Sequence, residues 1–343
     1  MAEQNIMNIA QDFTVSKYCT YPWICRDDSN NYWVVIRNTS DNLEVYKSID
    51  AGLNWVLKKT IANTDFPVGN PFPTNNFKIL NLRGQDKIYV FCTQGSDVSK
   101  MYGWIFEVTA DTNKIDLDSV DTFQDYEPHV CWTGSLMAGT IRNFAKGEFR
   151  WWTINLNGTA TYGSYLSDYG RPLSFYAHSD GSAYYLGESL TDNNMILSRA
   201  WVTSLSIALT KTNLIFADVV ADSAGHPIVG YLYLVSGSYY FYITKRNKDS
   251  LITEILSTNH IISPSATTVP DICRMTVDGS NNIYFFYTDG VDKEAYYMKY
   301  DVTTYSWDAE VKISSNNDGK LVMPEIKPPI TDSKILTTYQ ATV

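Results

Sequence analysis

The chain has 343 residues, 44% of them apolar and 19% charged, a balance that excludes a disordered or low-complexity polymer. Its net charge of −10 excludes a nucleic-acid backbone as partner, because neutralising phosphates takes a surplus of Lys and Arg. No run approaches the ~18 consecutive apolar residues of a spanning helix, so membrane insertion is not expected.

Aromatic residues make up 14% of the chain, with 25 Tyr and 9 Trp, and these types favour strands. Helical periodicity is nearly absent, whereas strand-length apolar runs recur between turns of Asp, Gly, Asn and Ser. Met1–Met7 has neither a basic nor an apolar leader segment, so no classical secretory signal is expected. The five cysteines, an odd number without CxxC spacing, predict neither a disulfide framework nor a zinc site.

In chain order, Ile6–Val15 reads as an unpaired strand. A proline followed by a short strand then returns at Pro22, Pro73, Pro128, Pro172, Pro270 and Pro324, with Asp218–Ala221 filling the one long gap. This spacing, 44 to 55 residues, is the length of one propeller blade. Within each unit a polar turn leads to a strongly apolar second strand, as in Asp28–Asn31 before Tyr32–Ile36 and Asp278–Asn282 before Ile283–Tyr287. Third strands follow (Leu43–Tyr46, Ala295–Tyr300), and fourth strands close the units (Leu117–Phe123, Leu209–Phe216, Ile252–Leu256, Glu310–Ile313).

The predicted fold is all-β: a seven-bladed propeller of four-stranded antiparallel blades, with a six-bladed ring as the alternative. The predicted blades are 16–62, 72–123, 126–168, 171–216, 217–261, 269–314, and 322–343 completed by 1–15. In the last, Met323–Pro328 and Lys334–Ala341 are the predicted strands, and the N-terminal strand closes the ring and removes two exposed edges. Cys25, Cys131 and Cys273 each follow a repeat proline by three residues and read as small apolar packing on innermost strands.

The stretch from Ser48 to Trp55 carries the most explicit turn chemistry. Asp50 is a short acceptor for backbone N–H groups ahead of it, Gly52 supplies positive φ, and Trp55 re-anchors the next strand. This S-x-D-x-G-x-x-W pattern resembles the Asp-box of sialidase-like β-propellers. Asp301 and Trp307 form a similar pair that looks like the turn of kelch-type blades.

Resemblance to sialidases would imply three arginines gripping a carboxylate, a Tyr–Glu nucleophile pair, an acid/base Asp and an early Arg-Ile-Pro motif. That motif is missing, since the first unit reads Tyr21-Pro-Trp-Ile-Cys-Arg26. The candidates for such a constellation are Arg26, Arg274, Asp125, Tyr126 and Glu127, with Arg37, Arg142 and Arg171 near candidate pocket loops; the ordinary reading is solvated loop charge. His129, His178, His226 and His260 are too far apart in sequence to suggest a metal pair, and no cofactor is expected. The one candidate cation loop, for Ca²⁺, holds Asp289, Asp292 and Glu294.

What remains is a binding surface on the loops opposite the Asp50 turn, with Phe72, Tyr102, Tyr126, His129, Arg142, Asp168 and Arg171 as candidate ligand contacts. Flat aromatic faces beside polar side chains suit a sugar ring, whose C–H face stacks and whose hydroxyls take hydrogen bonds. The reading is therefore a non-catalytic propeller that binds a carbohydrate or a cell-surface receptor. A sialidase-like glycoside hydrolase and a structural protein binding others through its rim stay open. The Asn-, Thr-, Ser- and Tyr-rich strands are similar to those of phage tail adhesins, which predicts a virion or extracellular location with glycans and particle proteins as partners. A cytoplasmic location stays open.

Overall fold

The structure is a computed structural model that describes residues 23–38, 40, 42–50, 54–62, 77–82, 84–97, 100–109, 114–117, 130–132, 135–143, 148–154, 160–162, 169–178, 180–189, 194–199, 206–210, 214–262, 273–288, 295–312, 319–324 and 337–341. Every regular element among them is a strand, and the strands form seven antiparallel sheets. The first sheet runs β1 (Trp23–Arg26), β2 (Tyr32–Arg37), β3 (Leu43–Ser48), β4 (Val56–Ile61). The second runs β5 (Phe77–Leu82), β6 (Lys87–Asp97), β7 (Lys100–Glu107), β8 (Lys114–Leu117), and the third β9 (Val130–Trp132), β10 (Met137–Asn143), β11 (Glu148–Ile154), β12 (Ala160–Tyr162).

The fourth comprises β13 (Tyr169–Ala177), β14 (Ala183–Ser189), β15 (Asn194–Arg199) and β16 (Ser206–Thr210). The fifth comprises β17 (Leu214–Ala221), β18 (Pro227–Val235), β19 (Ser238–Arg246) and β20 (Glu254–Ile261). The sixth has β21 (Cys273–Val277), β22 (Ile283–Thr288) and β23 (Ala295–Asp301), with β24 (Ser306–Trp307) and β25 (Val311–Lys312) both pairing β23. The seventh pairs β26 (Gly319–Pro324) with β27 (Thr337–Ala341).

Each sheet is an up-and-down meander, and first strands lie side by side from sheet to sheet. β1 neighbours β5, β5 neighbours β9, and so on through β13, β17 and β21 to β26, which also neighbours β1. Residues 1–15, the predicted closing strand, lie outside the described residues.

Several expectations shift: the fourth strand expected from Leu117 is β8, which reaches Leu117 from Lys114, and the one expected at Ile252–Leu256 is Glu254–Ile261. Leu214–Phe216 open β17, with Leu214 opposite Tyr233, instead of closing the preceding sheet, whose fourth strand ends at Thr210. The strand expected to begin at Met323 instead precedes and ends at Pro324, whose ring has no N–H to extend a ladder. Cys273 does not occupy the position of Cys25. Cys25 pairs with Trp33, whereas the residue paired with the matching Tyr284 is Thr276. The turn sets the register here, and the proline spacing misses it by three residues.

That first-to-second turn is the true repeat of the chain. Asp27, Asp222 and Asp278 each end a first strand, and each carboxylate takes backbone N–H groups two and four residues on: Ser29 and Asn31, Ala224 and His226, Ser280 and Asn282. The residue in between adopts positive φ, at Asn30, Gly225 and Asn281, types that tolerate the left-handed region. A cation on the third strand completes two of the locks: Lys47 reaches Asp27 at 3.2 Å and Lys245 reaches Asp222. Trp33 Nε1 donates to Asp27 and Tyr284 OH to Asp278, so the second strand is tied to the same carboxylate. These are charge-assisted bonds, stronger than neutral ones.

One core cluster joins the fourth, fifth and sixth sheets, with Phe241 stacked on Phe285 at a centroid distance of 3.6 Å. Another joins the first and second through Val35, Leu43, Phe77 and Ile88. Of the three repeat cysteines, Cys25 has a described side chain, and it is buried in this second cluster.

Candidate functional site

The predicted turn and site residues fall into distinct places. At the Asp50 turn, Ser48 Oγ donates to Asp50 Oδ1 at 2.7 Å, and Asn54 donates through its backbone N and Nδ2 at 2.9 and 2.6 Å. Those Asn54 bonds, with the one from Ser48, hold the exposed Asp50 carboxyl down to about 2. Trp55 packs on Ile24, Val34 and Ile36. In the sixth sheet Asp301 accepts from Thr303 N and Thr304 N, and Trp307 packs edge-on to Phe241 at 5.8 Å. Both carboxylates accept from groups of their own turn and the strand leading into it, Asp301 also from Lys299. Gly52 lies outside the described residues.

Of the candidate arginines, Arg26 and Arg274 stand on the first strands of different sheets. Arg26 is the last residue of β1, one short of the Asp27 turn, and its carbonyl accepts from Asn81 Nδ2 at 2.7 Å. Arg274 is the second residue of β21, with its guanidinium carbon 5.4 Å from the Phe216 ring centre. Measured back from the matching turn residues Asp27 and Asp278, Arg274 stands three residues farther along, about 10 Å at strand rise. Arg37 is buried at the end of β2.

Tyr102, Arg142 and Arg171 fall within β7, β10 and β13. Phe72, Asp125, Tyr126, Glu127, His129 and Asp168 lie outside the described residues, as do Asp289, Asp292 and Glu294 of the predicted cation loop. Among the described residues no three His, Cys, Asp or Glu side chains group to hold a metal. His226 pairs with Asp222 at 3.2 Å, His178 with Asp180 at 3.0 Å, and His260 lies beside Trp307 at 5.3 Å.

The arrangement with the richest binding chemistry is one that sequence reasoning missed. The stretch from Tyr231 to Tyr242 reads Tyr-Leu-Tyr-Leu-Val-Ser-Gly-Ser-Tyr-Tyr-Phe-Tyr. Ser236 and Gly237 both take positive φ, 50° and 83°, which makes a tight two-residue hairpin and pairs Val235 with Ser238. From that register Tyr233 faces Tyr240 and Tyr231 faces Tyr242, all four on one side of the sheet. Leu232, Phe241 and Ile243 alternate with them and are buried on the other side.

The four rings form a ladder: centroids are 5.0 Å apart for Tyr231 and Tyr242, 5.6 Å for Tyr233 and Tyr240, and 5.8 Å for Tyr231 and Tyr233. Burial, reinforced by the neighbouring tyrosines, pushes the Tyr231 and Tyr233 hydroxyls up, so both stay protonated at neutral pH. On β20, Asn259 stands opposite Tyr242 and Ile261 opposite Tyr240; both are exposed, Ile261 by 49%. Ser257 Oγ hydrogen-bonds the Tyr242 hydroxyl. At the far end of the same side Arg246 pairs with Glu254 at 3.0 Å, and Thr244 donates to Glu254. The hairpin tip points to the end of the sheet opposite the Asp222 turn, the end where the sequence predicts binding. Aromatic rings, an exposed amide and hydroxyls meet there on three adjacent strands, β18, β19 and β20.

Neither a protein-family model nor a curated protein matches the sequence. Solved structures do match in shape. A functionally unknown protein from Desulfotomaculum acetoxidans aligns with a TM-score of 0.55 at 13% identity, covering 89% of this chain and 88% of that one. A mutant of the Aleuria aurantia lectin in complex with Fucα1-6GlcNAc aligns at 0.51 and 11%, covering 87% and 97%. Virginiamycin B lyase from Staphylococcus aureus aligns at 0.51 and 11%, covering 89% and 88%. The latter two are β-propeller proteins, and the likeness across nearly the whole chain shows a propeller-like fold.

Proposed function

We propose that this protein is a non-catalytic, carbohydrate-binding β-propeller of seven blades. The observation that carries the binding reading is the tyrosine ladder of β18 and β19, with Asn259 and Ser257 at its edge. Such a surface offers π faces to the C–H side of a sugar ring and neutral donors and acceptors to its hydroxyls. The lectin neighbour is consistent with a glycan partner. The blade count rests on the seven sheets and on β26 standing beside β1, with the N-terminal segment as the strand that completes the last blade. The turn at Ser48–Trp55 belongs to this reading as an Asp-box-like structural device. Display on a virion or an extracellular surface goes with it, because a glycan reader needs access to its glycan.

The test is an array of immobilised glycans probed with the intact protein, expected to give saturable binding. Silence on every glycan, with stable co-purification with particle subunits, would replace the reading by a scaffold. Turnover of fluorogenic glycosides that falls on substituting Tyr126 or Glu127 would replace it by a hydrolase.

A further inference from the structure

We infer that the tyrosine ladder takes an uncharged sugar chain of at least two linked rings, laid along β18 and β19; this rests on the carbohydrate reading above and assigns its ligand class and its place. Length follows from the repeat of the site. The Tyr231–Tyr242 and Tyr233–Tyr240 pairs are two successive rungs, one strand repeat (about 7 Å) apart, so one ring covers one rung and leaves the other open. The side chains of Asn259 and Ile261 on β20 repeat the same step beside the rungs.

Charge class follows from what this face lacks and what surrounds it. On the ladder's own strands the charged groups of this side are Arg246 and Glu254, which pair with each other; on the facing fourth sheet Glu188 alternates with Leu186 and Tyr184, and Arg199 is engaged by the Lys248 carbonyl and Asp249. The Arg246 side chain is 12% exposed and also donates to the Ile252 carbonyl, so its charge is committed. The whole chain carries −10, so a sulfated or sialylated glycan meets repulsion, and the Arg246 guanidinium beside the ladder is already paired with Glu254. Neutral hydroxyls, by contrast, match the protonated tyrosine hydroxyls, the Asn259 amide and Ser257.

The experiment is titration calorimetry of the intact protein with neutral homo-oligosaccharides of glucose, mannose, galactose, xylose and fucose, one to six rings long, and with sulfated and sialylated counterparts. The expected result is binding of at least one neutral series that tightens by tenfold or more from one ring to two and changes little between 50 and 500 mM salt. Tyr233→Ala and Tyr240→Ala are expected to weaken it by tenfold or more, and Asn259→Ala, an exposed site, by about threefold with an unchanged melting temperature. Binding confined to charged glycans, or neutral binding indifferent to all three substitutions, overturns this inference and leaves the broader reading standing. Absence of binding by every oligosaccharide overturns both.

Discussion

The two sides of the β17–β20 sheet are made by alternate residues of the same strands, yet they do opposite things. On one side Leu232, Phe241 and Ile243 are buried, Phe241 stacks on Phe285 of the next sheet, and the backbone at Gly230 comes close to both Phe241 and Met275. On the other, four tyrosines keep part of their rings at the surface, the Tyr242 hydroxyl meets Ser257, and Asn259 stands beside Tyr242 on the next strand. Aromatic content is similar on both sides, so it is not what marks a binding face. The mark is how much of each ring stays accessible: Phe241 is fully buried, whereas the four tyrosines are half-buried, Tyr231 with part of its ring on the core.

Substitutions on each side sharpen that contrast. Phe241→Ala is expected to have the largest effect on stability, about 3–5 kcal/mol measured by urea denaturation, because it removes a ring packed between two sheets. Gly230→Ala follows. Its added Cβ would sit 2.7 Å from the Phe241 ring and 2.7 Å from Met275 Sδ, and overpacking of this kind costs about 1–3 kcal/mol. A stability loss of that size from a ladder tyrosine would break the contrast, since it would make the ladder core.

Acid should act on the turns first. Burial pushes the Asp222 carboxyl up, but the Lys245 and His226 hydrogen bonds outweigh it and hold it below the usual range. Asp180 is likewise held at about 2, where burial opposes the Ser182 and His178 bonds, and Asp50 at about 2 by Asn54. A carboxyl depressed in the folded state contributes stability that is fully present above its unfolded value near 4 and is lost as pH falls through the folded one. Urea midpoints measured from pH 6 to pH 2 should therefore hold down to about pH 4 and then drop. Asp50→Asn, at an exposed turn, should shift the neutral midpoint least.

Much of the architecture was legible. Period-2 runs and Asp/Gly/Asn turns mark the strands, and Asp27, Asp222 and Asp278 with their N–H partners are chemistry written within five consecutive residues. The tyrosine ladder was legible too, because a two-residue Ser-Gly turn dictates that Tyr233 meets Tyr240. It was passed over because tyrosine-rich strands also read as core. The strand limits were less legible. Leu214–Phe216 belong to β17 because Tyr233 is there to pair with Leu214, a partner nineteen residues away that local pattern does not name.

By itself, then, the sequence determined local matters: strands, tight turns, the carboxylates that close them, and the registers those turns impose. These depend on groups within a few residues of each other, so backbone geometry and short-range hydrogen bonds suffice. Only the tertiary structure decided that Phe241 is sealed against Phe285 while Tyr240 beside it is not, and that Arg26 and Arg274 stand at different heights in different sheets. Burial and convergence depend on which sheet packs against which, and that is set by contacts between residues far apart in the chain.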